Sequence, residues 1–347
     1  MNTSKKDIRS LSLEQLQQFF KDSNEKPFRA KQVMEWIWKK SCTDFDQMTN
    51  ISQSLRKLLQ ENFSLHGIQL HTKQISNDGT VKCAFEIEPN KIVEGVLIPS
   101  TKRMTACISC QVGCSLACDF CATGRLKLQK NLTAGEIYDQ VVYLKNEAEE
   151  RYKINLSNIV YMGMGEPLLN YKNVLDSIEK ITSEKGLGMS PKRITLSTAG
   201  IAKMIKKLGD DKVKFNLALS LHAATDEKRN KIMEINESNN LEALKEALVY
   251  FHSRTGTRVT FEYIIFKDFN DSIQDARDLA EFAKCVPCKI NIIEYNPTGD
   301  GKFDKALPER TDEFAAFLED KCNLIVNVRR SRGKDIDAAC GQLANKN

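Results

Sequence analysis

The chain has 347 residues, 41% of them hydrophobic, which is enough for one large core with an appendage or for two domains. Its formal net charge of +5 is too small to identify a nucleic-acid-binding protein by itself. The sequence contains no run of about 18 apolar residues and no apolar secretory segment, and its cysteine count of 11 is odd. These features argue against a membrane-spanning or secreted protein and predict a cytoplasmic one.

Residues 12–62 have the pattern of three short helices. Ser12 can cap the first helix, Pro27 can open the second, and Ser52 or Ser54 can precede the third. Two roles fit this stretch, a small helical bundle and an RNA-contacting appendage. The basic side chains available for RNA contact are Lys31, Lys39, Lys40, Arg56 and Lys57. We predict a helical accessory domain over residues 1–65.

A β-hairpin is predicted next, as a connector over residues 66–100. Polar and apolar residues alternate from Val81 to Glu88, Pro89 and Asn90 form a turn, and a second strand continues from Val93 to Ile98. The change from helical to strand periodicity places a domain boundary in this region.

Strands and helices alternate from residue 101 to residue 334. Strand-like runs occur at Met104–Ser109, Asn158–Met162, Arg193–Ser197, Lys214–Leu221, Arg258–Ile265, Ile290–Tyr295 and Leu324–Val328. Repeated β-α units predict a parallel sheet covered by helices. Six to seven units are too few for an eight-stranded barrel, so the predicted α/β fold is an open, partial (βα)6-type barrel. Its active site should lie at the carboxyl ends of the strands.

A cysteine-rich loop follows the first of these strands. It contains Cys107 and Cys110 and then Cys114, Cys118 and Cys121, which are spaced C-x3-C-x2-C. Three closely spaced thiolates can bind three irons of a cubane cluster and leave the fourth iron open. A structural zinc site with Cys110 as fourth ligand is the alternative, although zinc ribbons normally pair two C-x2-C knuckles.

Polar and glycine residues at later strand ends are candidate cofactor contacts. Gly165 and Glu166 follow the second strand, where glycine permits close approach and a carboxylate can accept from an ammonium group. The other candidates come from the third, fourth and sixth strands and are Ser197, Ser220, Leu221, His222 and Asn296.

The cysteine spacing, with Phe120 before the last cysteine, resembles the signature of the radical S-adenosylmethionine enzymes. The Gly163–Asn170 motif, Cys107 seven residues before Cys114, and the Asp335–Leu343 tail resemble the RlmN family over essentially the whole chain. This resemblance implies a [4Fe-4S] cluster on Cys114, Cys118 and Cys121, and two S-adenosylmethionine molecules per turnover. It also implies ribosomal and transfer RNA substrates, an electron donor such as flavodoxin or ferredoxin, and a monomer.

The resemblance also implies a mechanism for methylating carbon 2 of adenosine. That carbon is electron-poor, so the one-carbon unit must arrive as a radical, carried by a thiolate that can be methylated and later released. Cys340, in the tail of residues 335–347, would be the methyl carrier and would form a covalent adduct with RNA. Cys107 would resolve the adduct and end in a disulfide. Glu94, or Cys107 itself, would accept the proton from carbon 2.

Two further alternatives remain open at the level of sequence. The related antibiotic-resistance methyltransferase uses the same cysteines and modifies carbon 8 of a ribosomal adenine. Pro167 and the fuller N-terminal appendage favour carbon 2. A different class, a non-enzymatic RNA-binding protein with a zinc or cluster module, would share the cysteine loop but would not cleave S-adenosylmethionine.

Overall fold

The computed structural model describes residues 5–65, 67–101, 103–299 and 301–345. Its N-terminal part has three helices between two short strands: β1 (Lys6–Asp7), α1 (Leu13–Asp22), α2 (Arg29–Trp38), α3 (Gln53–Asn62) and β2 (Phe63–Ser64). Ser12 caps α1, because its Oγ accepts from the Gln15 amide while the Gln15 side chain accepts from the Ser12 amide. β1 pairs in parallel with β2 and so closes this unit.

Three antiparallel strands follow instead of the two predicted: β3 (Gln69–Ile75), β4 (Val81–Glu88) and β5 (Lys91–Pro99). The predicted hairpin is β4 and β5. The prediction missed β3 because all seven of its residues are exposed, so its sequence carries no burial pattern.

The barrel begins with β6 (Met104–Cys107). The elements after it are β7 (Gln111–Val112), β8 (Lys130–Asn131), α4 (Ala134–Glu147), β9 (Asn158–Tyr161), α5 (Tyr171–Thr182), β10 (Ile194–Thr198), α6 (Ala202–Asp210) and β11 (Asn216–Ser220). The second half contains α7 (Asp226–Asn230), α8 (Leu241–Thr255), β12 (Val259–Ile265), α9 (Ile273–Ala283), β13 (Cys288–Glu294), α10 (Pro308–Ala316) and β14 (Val326–Arg329).

One ten-stranded sheet joins the connector to the barrel, in the order β14-β13-β12-β11-β10-β9-β6-β5-β4-β3. The seven strands from β14 to β6 are parallel, as the β-α alternation predicted, and β5 pairs antiparallel with β6. The connector is therefore an extension of the barrel sheet. β3 and β14 are the two ends of this sheet, so the partial barrel is open, with its strand carboxyl ends on one face.

The N-terminal helices pack on α4. Arg9 Nη1 pairs with Asp139 at 2.5 Å, and Tyr138 donates a hydrogen bond to the Trp38 carbonyl oxygen at 2.6 Å. Trp38 is buried and Trp36 is partly exposed, as expected for two residues on opposite faces of one helix. In the part of the chain that the structure describes, no helix is long and apolar enough to cross a membrane.

Candidate active site

The cysteine loop leaves the end of β6 and is held by its own backbone. The Cys114 amide donates to the Leu126 carbonyl oxygen at 2.9 Å, and the Cys121 amide donates to the Cys118 carbonyl oxygen at 3.1 Å. Gly113 has φ +76°, and a Cβ there would lie 2.3 Å from the carbonyl oxygen of Lys127. Only glycine fits at this position, so the return of the chain against residues 126–127 depends on it.

Cys114, Cys118 and Cys121 line a cavity of about 370 Å³ at the carboxyl ends of the parallel strands. Burial raises the pKa of Cys118 well above its ordinary value, and the neighbouring Cys121 and Cys114 raise it further. Three crowded thiols of this kind become thiolates when cationic iron compensates their charge, so this donor set fits a [4Fe-4S] cluster.

A single-metal site is a different arrangement. Among the described residues, no three histidine, cysteine, aspartate or glutamate side chains form a group that could hold one metal ion. Cys110, the fourth ligand of the zinc alternative, is buried, donates its thiol to the Met164 carbonyl oxygen and does not line the cavity.

Glu166 lies beside the cluster cysteines in the same cavity. Its Oε2 accepts from the Ala199 amide at 2.8 Å and its Oε1 accepts from the Leu168 amide at 3.0 Å. Burial raises the pKa of Glu166, and these two amides oppose that rise. Gly165 has φ +96°, and a Cβ there would contact the Gln111 side chain at 2.5 Å. Close packing against the protein, and not only ligand approach, therefore requires this glycine.

The hydroxyl groups of Ser197 and Ser220 lie 3.3 Å apart and line the cavity together with His222. His222 has φ +58°, and its Nδ1 accepts from the Ile264 amide at 3.1 Å. Burial, and next the Arg229 charge, lower the pKa of His222 to about 3. The imidazole is thus neutral near pH 7, with its Nε2–H available as a donor.

The tail folds back onto the cysteine loop. The Ala122 amide donates to the Gly341 carbonyl oxygen at 2.8 Å, and Thr123 Oγ1 donates to the Leu343 carbonyl oxygen at 2.6 Å. Asn296 Nδ2 donates to the Cys340 carbonyl oxygen at 3.4 Å. These bonds place Cys340 at the cavity, although 218 residues separate it from Ala122 in sequence.

Cys107 and Cys340 line the same cavity. Cys107 is 8% exposed, and burial, followed by the nearby Cys340, raises its pKa. Cys340 is an exposed residue, but protein atoms surround its thiol. That desolvation raises its pKa, while the Arg329 guanidinium opposes the rise.

Two family models match separate parts of the chain. A model described as the ribosomal RNA large subunit methyltransferase N-terminal domain matches residues 6–65, and the radical SAM superfamily model matches residues 108–283. A probable dual-specificity RNA methyltransferase RlmN of Cytophaga hutchinsonii is 61% identical over 342 residues, 99% of this chain and 93% of that protein. The chain belongs to the RlmN family.

More distant RlmN relatives and solved structures agree. The probable RlmN of Salinibacter ruber is 43% identical over 98% of this chain and 94% of its own length. A radical SAM methyltransferase from Sphaerobacter thermophilus has a TM-score of 0.92 and 35% identity, covering 98% of this chain and 100% of that one. The hydrogenase maturase HydG shares the barrel fold, with a TM-score of 0.51 and 14% identity over 69% of this chain and 55% of its own.

Three of the residues predicted for the RlmN-type site do not line the cavity in the described structure: Glu94, Leu221 and Asn296. Glu94 is 1% exposed and accepts from the tail amides of Ala344 and Asn345 at 2.9 and 3.2 Å. Leu221 is fully buried, and its amide donates to the Glu262 carbonyl oxygen. Asn296 donates a hydrogen bond to the backbone of Cys340, which does line the cavity.

Sequence reasoning missed the buried charges of the site. Arg229 is fully buried and donates to the carbonyl oxygens of Ala199 and Leu221, which directly follow β10 and β11. The polar stretch around it resembles an exposed helix, so no sequence signal identifies it. Glu262 also lines the cavity, and its signal was a single charge inside the apolar strand Val259–Ile265. The cavity rim is basic, from Arg329 to Arg332.

Proposed function

We propose that this chain methylates carbon 2 of adenosine in large-subunit ribosomal RNA near the peptidyl transferase centre, and in transfer RNA beside the anticodon. The observation that carries the proposal is the meeting of Cys107, Cys340 and the three spaced cysteines in one cavity. RlmN-family membership supports the RNA substrates, since the Cytophaga relative is named a dual-specificity RNA methyltransferase. A radical SAM methyltransferase of 35% identity supports the methyl transfer.

Cys114, Cys118 and Cys121 would hold the cluster, and Glu166, Ser197 and His222 would bind S-adenosylmethionine. Once bound, the cluster and two S-adenosylmethionine molecules would supply the methyl group and the radical that removes a hydrogen atom from the methylated Cys340. A donor such as flavodoxin or ferredoxin would supply the electrons. We propose a cytoplasmic monomer.

Cys340 would carry the one-carbon unit, and Cys107 would release it. The Cys340 thiolate takes a methyl group, and its methylene radical then forms a bond with carbon 2. To restore the aromatic ring, the carbon 2 proton would leave to a protein base and one electron would return to the oxidised cluster that the three cysteines would hold. The Cys107 thiolate then attacks the Cys340 sulfur, so that a disulfide forms and the carbon–sulfur electron pair takes up a proton to give the methyl group. An external reductant must restore both thiols.

Cys107 is better placed than Glu94 to remove the carbon 2 proton, because Cys107 lines the cavity. Glu94 accepts hydrogen bonds from two tail amides instead. Its proposed role is to hold the tail that carries Cys340.

Mass spectrometry of ribosomal and transfer RNA from a deletion strain, mapped at nucleotide resolution, tests the substrate assignment. The proposal predicts that 2-methyladenosine disappears from both RNAs and returns when the gene is restored. Loss of 8-methyladenosine instead would assign the chain to the carbon-8 reaction, and unchanged methylation of both RNAs would refute the proposal.

A further inference from the structure

The barrel interior contains a carboxyl group that no step of the proposed reaction uses. Glu262 lies within β12, is 4% exposed and lines the cavity. Its Oε1 accepts from Asn291 Nδ2 at 2.7 Å. Its Oε2 is buried and has no hydrogen-bond partner among the described residues, and Arg329 Nη1 lies 3.9 Å from it. A buried acceptor of this kind destabilises the folded protein unless a hydrogen-bond donor reaches it.

Neighbouring strands hold Glu262 in place. Ser220, Glu262, Asn291 and Asn327 are in register across four adjacent parallel strands. Asn327 Nδ2 donates to Asn291 Oδ1 at 3.3 Å, which turns the Asn291 amide group towards Glu262. Of these four side chains, only Ser220 and Glu262 line the cavity. The ladder therefore ends at the Glu262 carboxylate, whose Oε2 has the Arg329 guanidinium nearby but no hydrogen-bond donor among the described residues.

Glu262 also lies close enough to the proposed methyl carrier to affect it: burial raises the pKa of Cys340 most, the Arg329 charge lowers it, and the Glu262 charge raises it. A ligand group that reaches Oε2 must donate a hydrogen bond to it. The group must also be of modest size, because the whole cavity has a volume of about 370 Å³. An amino or hydroxyl group meets this requirement. Burial raises the pKa of Glu262, the Arg329 charge and the Asn291 hydrogen bond oppose that rise, and a donor at Oε2 would oppose it further.

We propose that Glu262 is a binding residue whose Oε2 accepts a hydrogen bond from an amino or hydroxyl group of an adenosine in this cavity. The inference rests on the proposed function, in which two molecules bring an adenosine to the site: S-adenosylmethionine and the target nucleotide. Both present the same donors, the N6 amino group and the ribose hydroxyls. The chemistry is shared, and binding measurements separate the two sources.

Glu262→Gln is the informative variant, because it keeps an oxygen for Asn291 and presents an NH2 group to the cavity in place of the acceptor. Equilibrium binding to cluster-reconstituted protein is measured for S-adenosylmethionine and for an RNA stem-loop with the target adenosine beside the anticodon. The control is Glu147→Gln, which makes the same change at a buried carboxylate outside the cavity lining. Thermal unfolding checks that both variants fold.

Because Glu262→Gln loses a hydrogen bond to a charged acceptor, it should bind one of the two ligands about 10- to 100-fold more weakly than the wild type does. Glu147→Gln should bind both ligands with wild-type affinity. The ligand that weakens identifies the source of the adenosine. If the RNA weakens, purine riboside at the target position should remove the difference between wild type and Glu262→Gln when N6 is the donor. Affinities for both ligands within twofold of wild type would overturn the inference. Because these are binding measurements, a chain that binds both ligands but never methylates RNA would refute the proposed function alone.

Discussion

Ala122 donates its backbone N–H to the carbonyl oxygen of Gly341 at 2.8 Å. Ala122 follows Cys121, the last cysteine of the C-x3-C-x2-C loop, and Gly341 follows Cys340. One backbone hydrogen bond thus joins the residue after Cys121 to the residue after Cys340, although the two cysteines are far apart in sequence. The position of the proposed methyl carrier is fixed by the cysteine loop itself.

The side-chain bond beside this contact can be removed alone. Thr123→Val keeps the shape of the side chain but leaves the Leu343 carbonyl oxygen without its donor, which costs about 1–3 kcal/mol locally. We expect faster hydrogen exchange in residues 338–345 and slower methylation, with iron content unchanged. Thr182→Val removes a similar bond on α5 and is the matched control. Equal exchange in the tail of both variants would show that Thr123 does not hold it.

Loss of a cluster ligand should have a different result. Cys114→Ala, Cys118→Ala and Cys121→Ala should each lower the iron content from about four per chain and abolish reductive cleavage of S-adenosylmethionine. Cys322→Ala, at a partly exposed cysteine outside the cavity lining, should keep both properties. Anaerobic iron and sulfide analysis measures the first property. Full iron and turnover in any of the three variants would mean that the ligand set is wrong, and stoichiometric zinc without iron would favour the non-enzymatic alternative.

The tail-holding carboxylate also belongs to a buried ion pair. Lys82 Nζ lies 3.5 Å from Glu94 Oε1, and both side chains are at most 6% exposed. Glu94→Gln leaves a buried ammonium group without this partner, which should lower the free energy of unfolding by about 3–5 kcal/mol. Lys82→Met combined with Glu94→Gln should recover most of the loss. Denaturant unfolding measures both, and a double variant no more stable than Glu94→Gln would show that the ion pair is not the cause.

His222 should make stability depend on pH. Its pKa is about 3 in the folded protein and about 6.5 when unfolded, so the unfolded chain binds more protons between these values. Stability therefore rises with pH in this window, by up to about 1.4 kcal/mol per unit. Asparagine tolerates the positive φ of residue 222. His222→Asn should therefore reduce the slope of unfolding free energy against pH between pH 5 and pH 6.5. Identical slopes from denaturant unfolding of both proteins would contradict a neutral buried imidazole.

Much of this architecture was readable from the sequence because burial leaves a periodic signal. The run Arg258–Ile265 carries that signal, and the structure has a strand there at Val259–Ile265, nearly the predicted bounds. β3 carries no such signal, because one edge of it pairs with β4 while all its side chains stay exposed. Sheet pairing through the backbone does not constrain residue type in such a strand.

The residues of the candidate site also differ in how far the sequence predicts them. Local spacing predicts the three cysteines proposed to hold the cluster, because all three lie on one short loop. The RlmN resemblance, and not periodicity, brought Cys107 and Cys340 together. Tertiary hydrogen bonds decide the surroundings of Glu94, Glu262 and Arg229, and nothing in their neighbouring residues reports those partners. The structure bonds Glu94 to two tail amides, and its role as proton acceptor stays a prediction.

The central claim is that Cys340 carries the one-carbon unit and Cys107 releases it. Denaturing electrophoresis of each variant after turnover with labelled RNA tests this claim most directly. With Cys340→Ala, no RNA should become attached to protein. With Cys107→Ala, a covalent adduct should accumulate, survive denaturation and map to Cys340 by mass spectrometry of the digested complex. Normal turnover of Cys107→Ala, or an adduct that persists in Cys340→Ala, would contradict the account.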